Sequence, residues 1–256
     1  MVVLPTTPLP TTPLPTTPLP MSPTLLRLPL AGDEAALRRW DPRHWGTDCA
    51  DCILAKNGIP QAPVPPEWHV GATTAVVGEA PGRTEVSLGR PFVGPSGMEL
   101  QRALEASGHG RQELLITNSL CCWPSDIKDM ASLHAQLNAR NANRAAAGLP
   151  PHKSPETCCA PRLRNEFLSA SISQIIALGA ASTKAVVPGL RSGILDIRGG
   201  PLETWQDTAN GAFAATPLAG GRALKVLPTI HPAFVLRSPR WRQAFDVDMA
   251  RAWRFF

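Results

Sequence analysis

Thr74-Ala75-Val76-Val77-Gly78-Glu79-Ala80-Pro81-Gly82 is continued, after a short polar stretch, by Gly89-Arg90-Pro91-Phe92-Val93-Gly94-Pro95-Ser96-Gly97. Ala75-Val76-Val77 reads as a short buried strand. Gly78, Pro81 and Gly82 break it and hold Glu79 on a tight loop at the strand's carboxyl end. Open α/β sheets bind their ligands at that end. Ser96 and Glu99 have the spacing of a capping box, with Leu100, Ala103 and Leu104 as the apolar face of the helix that follows. A strand, a rigid glycine-proline loop and a helix N-terminus in one stretch suit a flat or anionic ligand better than a hydrophobic one.

Working outward, strands and helices alternate. Glu113 to Asn118 predicts a second strand, Gln174 to Gly179 a third and Ala223 to Pro228 a last buried one. Ile194–Trp205 and Ala212–Pro217 read as short strands with turns. Helices are expected from Asp33 to Trp40 with Asp33 as cap, from Ser154-Pro155-Glu156 onward with proline at the first helical position, over Ala180–Val187, and over residues 233–254. The pattern predicts a three-layer αβα fold around a central, mostly parallel four-stranded sheet. Asn118 and His231 are expected at the ends of neighbouring strands, on the same sheet edge as Glu79.

The chain has 256 residues, which favours one domain. Residues 5–20 repeat Pro-Thr-Thr-Pro-Leu three times. Proline at that density fixes φ and removes donors, so residues 1–22 are read as a polyproline II or disordered tail ahead of a single domain, 23–256. Residues 58–69 read as a linker-like surface stretch, and residues 125–152 as an inserted helix with a return. No run of about 18 apolar residues suggests a membrane span. No charged segment followed by a long apolar one opens the chain, so a cytoplasmic, monomeric protein is expected. The net charge of +5 favours an anionic partner, nucleic acid first, or simply a basic soluble protein.

Six cysteines fall in three tight groups: Cys49 with Cys52, Cys121 with Cys122, and Cys158 with Cys159. In a cytosolic chain such clustering points to metal or catalysis before disulfides, and composition alone leaves zinc and iron–sulfur open. Asn118 offers an amide with both donor and acceptor, which matches a pyrimidine edge. His231 before Pro232 is a candidate donor, and Phe92 a candidate stacking surface.

Four blocks together resemble the family 4, iron–sulfur uracil-DNA glycosylases: Cys49-x-x-Cys52; Gly78-Glu-Ala-Pro-Gly with Gly89-Arg-Pro-Phe-Val-Gly; Ile116-Thr-Asn-Ser-Leu-Cys-Cys; and His231-Pro-Ala-Phe-Val-Leu-Arg. They occur in family order across about residues 45–240. The resemblance implies a monofunctional DNA-repair hydrolase that flips uracil from single- or double-stranded DNA and cleaves its N-glycosidic bond. It implies a [4Fe–4S] cluster on Cys49, Cys52, Cys122 and Cys159, with zinc as the alternative and Cys121 and Cys158 as buried fillers. It gives Phe92, Asn118 and His231 the roles of stacking, edge reading and leaving-group stabilisation. Gly78, Ala80 and Gly82 would approach the base and phosphate through the backbone.

Glu79 is the favoured carboxylate for the water and Glu85 the alternative base. Ala80 stands where better-known glycosylases carry an aspartate, and Gly82 where a tyrosine elsewhere excludes thymine. The segment after Pro232 implies a wedge with Arg237 on a phosphate. His152-Lys153-Ser154-Pro155 resembles a His-Lys-Thr-Pro stretch of X-type relatives, where the histidine captures the sugar covalently. The alternatives are therefore a non-enzymatic or covalently trapping iron–sulfur DNA-binding protein, and a zinc-stapled nucleotide-binding module.

Overall fold

The computed structural model describes residues 27–56, 63–122 and 130–256. The Pro/Thr repeat, most of the 58–69 stretch's first half and the start of the 125–152 segment lie outside the described residues.

In chain order the elements are α1 (Glu34–Arg38), α2 (Ile53–Lys56), β1 (Glu67–Trp68), β2 (Thr74–Gly78), α3 (Arg83–Leu88), α4 (Pro95–Ala106), β3 (Leu114–Asn118), α5 (Met130–Ala146), α6 (Pro155–Ser169), β4 (Gln174–Leu178), α7 (Gly179–Val186), α8 (Ile194–Ile197), β5 (Leu202–Asp207), β6 (Phe213–Ala214), β7 (Gly221–Thr229), α9 (Pro232–Arg237) and α10 (Arg242–Phe255). The sheet order is β1-β3-β2-β4-β7-β5-β6. Its centre is the expected parallel set, β3-β2-β4-β7. Antiparallel strands extend it at both edges.

Period-two alternation splits the strand residues between two cores. Ala75, Val77, Leu115, Ile175, Ala177 and Val226 face Phe167 of α6 and Val186 of α7. Val76, Ile116, Ile176, Leu178 and Leu227 face Leu100 and Leu104 of α4 and Phe245 and Met249 of α10. Helices thus cover both faces, which makes the fold three-layered.

Several expectations need correction. Asn118 and His231 do not end neighbouring strands, because β2 and β4 lie between β3 and β7. The Ser96–Glu99 capping box does not form. The helix starts two residues earlier, with Gly94 at the cap and Pro95 next, and the Glu99 carboxylate is drawn off by Arg102 (2.8 Å) and Arg242 (3.2 Å). Ile194–Ile197 is a helical turn, and Glu67–Trp68 adds an edge strand where a linker was expected. Residues 233–254 are two helices broken around Pro239. Other signals hold: Asp33 caps α1 and Ser154 caps α6.

The chain leaves β2 toward β3 on one side, and β4 pairs on the other. The end of β2 is therefore a topological switch point, with a crevice beyond the carboxyl ends of the strands. The registers Gly78↔Asn118 and Leu178↔Thr229 put these strand ends level.

Candidate active site

Gly78 is the last residue of β2, and its neighbours show why it is glycine. A Cβ there would lie 2.3 Å from Asn118 Oδ1 and 2.4 Å from Phe92 Cζ. Asn118 and Phe92 therefore both rest against the Gly78 backbone. Asn118 is buried (6 % exposed), and its Oδ1 has no hydrogen-bond partner among the described residues. A buried, unpaired amide oxygen is costly, and such groups in native proteins call for a reason.

Phe92 sits on the loop between α3 and α4 with φ of 53°, in the left-handed region that a bulky residue rarely adopts. Arg111 imposes that turn by donating to the carbonyls of Pro91 (2.8 Å) and Phe92 (3.0 Å) while paired with Glu67. Two arginines hold the Glu67 carboxyl below its usual range in spite of burial. Gly97 closes the turn from below, since any Cβ there would strike Phe92 O.

His231 caps α9: its Nδ1 accepts from the Ala233 N–H at 3.1 Å. Accepting at Nδ1 places the ring proton on Nε2, so the neutral ring presents a donor there. Burial, with Arg237 adding to it, pushes the imidazole down to about 4. His231 is thus neutral at physiological pH. Its ring lies 6.0 Å from that of Phe92, tilted by 34°, and it packs over Gly179.

Glu79 follows Gly78 and is partly buried. Burial, and Glu156 secondarily, raise its carboxyl above the usual range. Its carbonyl accepts from Leu120 N–H and Ser119 Oγ–H. Glu85 stands differently. Its Oε1 accepts the N–H groups of Val93 (3.1 Å) and Gly94 (2.8 Å), so this buried carboxylate ties α3 to the loop entering α4. Gly82 caps α3 against that same carboxylate. Ala80 packs toward Leu120, Cys121, Cys122 and Cys159. His152 exchanges two backbone hydrogen bonds with the Asn141 side chain.

A match to the uracil DNA glycosylase superfamily covers residues 66–256, which includes all of these strand-end residues. The chain belongs to that superfamily. It is 30% identical over 203 residues to a type-4 uracil-DNA glycosylase of Pyrobaculum aerophilum, covering 79% of this chain and 87% of the relative. Type-4 uracil-DNA glycosylases of Thermotoga maritima (30% over 172 residues, 67% and 70%) and Saccharolobus solfataricus (28% over 204 residues, 79% and 79%) are similar as well.

Within this superfamily member, the cysteines gather beside the strand ends. Cys49, Cys52, Cys122, Cys158 and Cys159 line one small cavity. Cys121 Sγ lies 3.8 Å from Cys122 Sγ and 4.0 Å from Cys159 Sγ. Burial and neighbouring thiols push Cys49 up to about 11 and hold Cys159 well above the ordinary range. Thiols so crowded ionise only when a cation compensates them. Among the described residues no three His, Cys, Asp or Glu side chains stand at metal-binding geometry, so what converges is the chain rather than a finished ligand shell. The donor set fits a thiolate-held metal group, and Cys158 shares the cavity with the four expected ligands.

On the outer face, α9 buries Val235 and leaves Leu236 40% exposed. Arg237 and Arg240 are exposed and make no ion pair among the described residues, whereas Arg242 is paired with Glu99. No helix among the described residues is long and apolar enough to cross a membrane.

Sequence reading missed Arg111, Arg162 and Arg198, the arginines that hold the backbone behind the site. Isolated charged residues ordinarily read as surface. The one available signal was Arg162 and Glu166 at i,i+4 on a helix otherwise apolar on that side.

Proposed function

We propose that this chain is a monofunctional uracil-DNA glycosylase that hydrolyses the N-glycosidic bond of deoxyuridine in DNA and leaves an abasic site. The observation that carries it is the pair of Phe92 and Asn118 against Gly78, with the neutral His231 ring 6.0 Å from that of Phe92 and the Asn118 amide oxygen buried without a partner among the described residues. Membership of the superfamily and the type-4 relatives support it.

The flipped base would stack on Phe92. Uracil offers a donor at N3–H and an acceptor at O4, which pair with Asn118 Oδ1 and Nδ2. Cytosine presents the reverse pattern and leaves the amide mismatched. As the bond from C1′ to N1 lengthens, negative charge grows on uracil O2, and His231 Nε2–H donates to it. A donor fixed before the reaction is worth most at this point. The cationic sugar carbon is balanced by the Glu79 carboxylate, which also orients the water. The water oxygen bonds to C1′, its proton passes to Glu79 or solvent, and uracil leaves as an anion that solvent protonates. Glu85 is assigned to holding the loop rather than to the water.

Cys49, Cys52, Cys122 and Cys159 would hold a [4Fe–4S] cluster. The group would supply no electron to hydrolysis and would tie three distant pieces of chain together. Exposed Leu236 is the apolar side chain suited to fill the gap left by the flipped nucleotide, and Arg237 to meet a phosphate.

The test is release of uracil from a uracil-containing single-stranded oligonucleotide by purified, brown protein. Release with an abasic product supports the reading. Tight binding without release overturns it in favour of a non-enzymatic binder, and a covalent adduct lost in His152→Ala overturns it in favour of trapping.

A further inference from the structure

We infer that Arg162 is a positioning residue for uracil recognition: through Thr117, Glu166 and two backbone carbonyls it fixes the end of β3 and so aims the Asn118 amide. This rests on the assignment of Asn118 to the uracil edge.

Arg162, on α6, is fully buried, and so is Glu166 one turn on. Its Nη2 donates to the carbonyls of Asn118 (2.5 Å) and Ser119 (3.0 Å). Its Nη1 donates to Glu166 Oε1 (2.6 Å) and Thr117 Oγ1 (3.2 Å), and the Thr117 hydroxyl donates to Glu166 Oε2 (3.0 Å). Guanidinium, carboxylate and hydroxyl thus form a closed ring beneath the last residues of the strand.

The opposite side of the same peptide units is held as well. Ser119 N–H donates to Gly78 O, and Leu120 N–H to Glu79 O, both at 2.8 Å. The main chain at 118–120 is therefore gripped from two sides by β2 and by α6. The Asn118 side-chain oxygen is left buried and without a hydrogen-bond partner among the described residues, as is Arg162 Nε.

A buried ion pair is a poor way to gain stability, since well-packed apolar groups do as well or better. What this one supplies is a fixed backbone, and the backbone limits the rotamers open to Asn118. An error of about 1 Å in a reading group costs on the order of 10²-fold in rate. Lysine cannot replace the fork, because one ammonium cannot serve two carbonyls, a hydroxyl and a carboxylate in these directions.

Double-mutant cycles on the full-length protein test this, with single-turnover cleavage and equilibrium binding of uracil DNA measured separately. The substitutions are Arg162→Lys, Thr117→Val and Thr117→Ser, each alone and combined with Asn118→Ala. Thr117→Val keeps the strand's shape, so it gives a readable result even if Arg162→Lys fails to fold. Thr117→Val should slow cleavage about 10-fold and Arg162→Lys about 10²-fold, with Thr117→Ser close to wild type. In the Asn118→Ala background the same changes should cost less than about 3-fold, because there is no amide left to aim. Full additivity would overturn the inference and leave Arg162 a purely structural residue. If Asn118→Ala alone binds and cleaves like wild type, the assignment of Asn118 fails, and the inference falls with it.

Discussion

His231 carries the clearest pH statement. Its Nδ1 is occupied by the Ala233 N–H, and burial pushes its ionisation down to about 4 from an ordinary 6.5. Between about 4 and 6.5 the unfolded chain binds more protons at this residue than the folded one. Its contribution to stability is therefore complete above pH 6.5 and declines as pH falls toward 4. The His231 ring signal, followed by NMR, should titrate near 4; an inflection near 6.5 would show that the ring is neither capped nor buried as described. The single-turnover rate should likewise show no step near 6.5. Glu79, raised above the usual carboxylate range by burial, should give the acid limb, and Glu79→Gln should remove it. At the outer face, Arg237→Ala should lower the log–log salt slope of DNA binding by about one unit. Arg242→Ala should leave it unchanged, because that guanidinium is already engaged by Glu99. Equal effects from both would show that the ion pair opens on DNA.

At the scale of elements, arginine–carboxylate pairs lie behind the chain segments that carry the site. Arg111 with Glu67 holds the loop of Phe92. Arg162 with Glu166 holds the end of β3. Arg198 with Asp248, which accepts from Thr229 at 2.7 Å, holds the end of β7 ahead of His231. The strands themselves were legible because Val76-Val77, Leu115-Ile116, Ile175-Ile176 and Val226-Leu227 are apolar runs bounded by turn residues. The clamps were not legible, because an arginine's burial depends on which carboxylate a distant segment brings to it. The lost capping box has the same origin: Glu99 has the right spacing, but Arg102 and Arg242 compete for it. Ile194–Ile197 misled through its isoleucines, which fit a strand locally while the chain turns there as a helix. Gly78→Ala tests the close approach directly. Its Cβ would overlap Asn118 Oδ1 and Phe92 Cζ, so cleavage should fall at least 10²-fold while circular dichroism stays native. Wild-type activity in that variant would show that the two side chains do not meet over Gly78.

For the whole molecule, the cysteine cavity joins the segment before α2, the chain after β3 and the start of α6. A metal group held there would staple regions far apart in sequence, so Cys49→Ser or Cys159→Ser should lose brown colour and solubility together, and Cys121→Ser should keep both. Cys158 is the sharper case, since it lines the same cavity as the four expected ligands; loss of visible absorbance in Cys158→Ser would move the ligand by one residue. The three-layer fold and the identity of the strand-end residues could be read from motif order and strand pattern. The separation of Asn118 and His231 by two intervening strands could not, because strand order is set by which helices pack across the sheet rather than by any local signal. The account as a whole turns on His231 acting only as charge develops. Single-turnover cleavage and binding of a uracil-containing oligonucleotide by His231→Ala test that most directly. The expected result is a cleavage rate lower by about 10²–10³-fold with binding nearly unchanged; cleavage at the wild-type rate would contradict it.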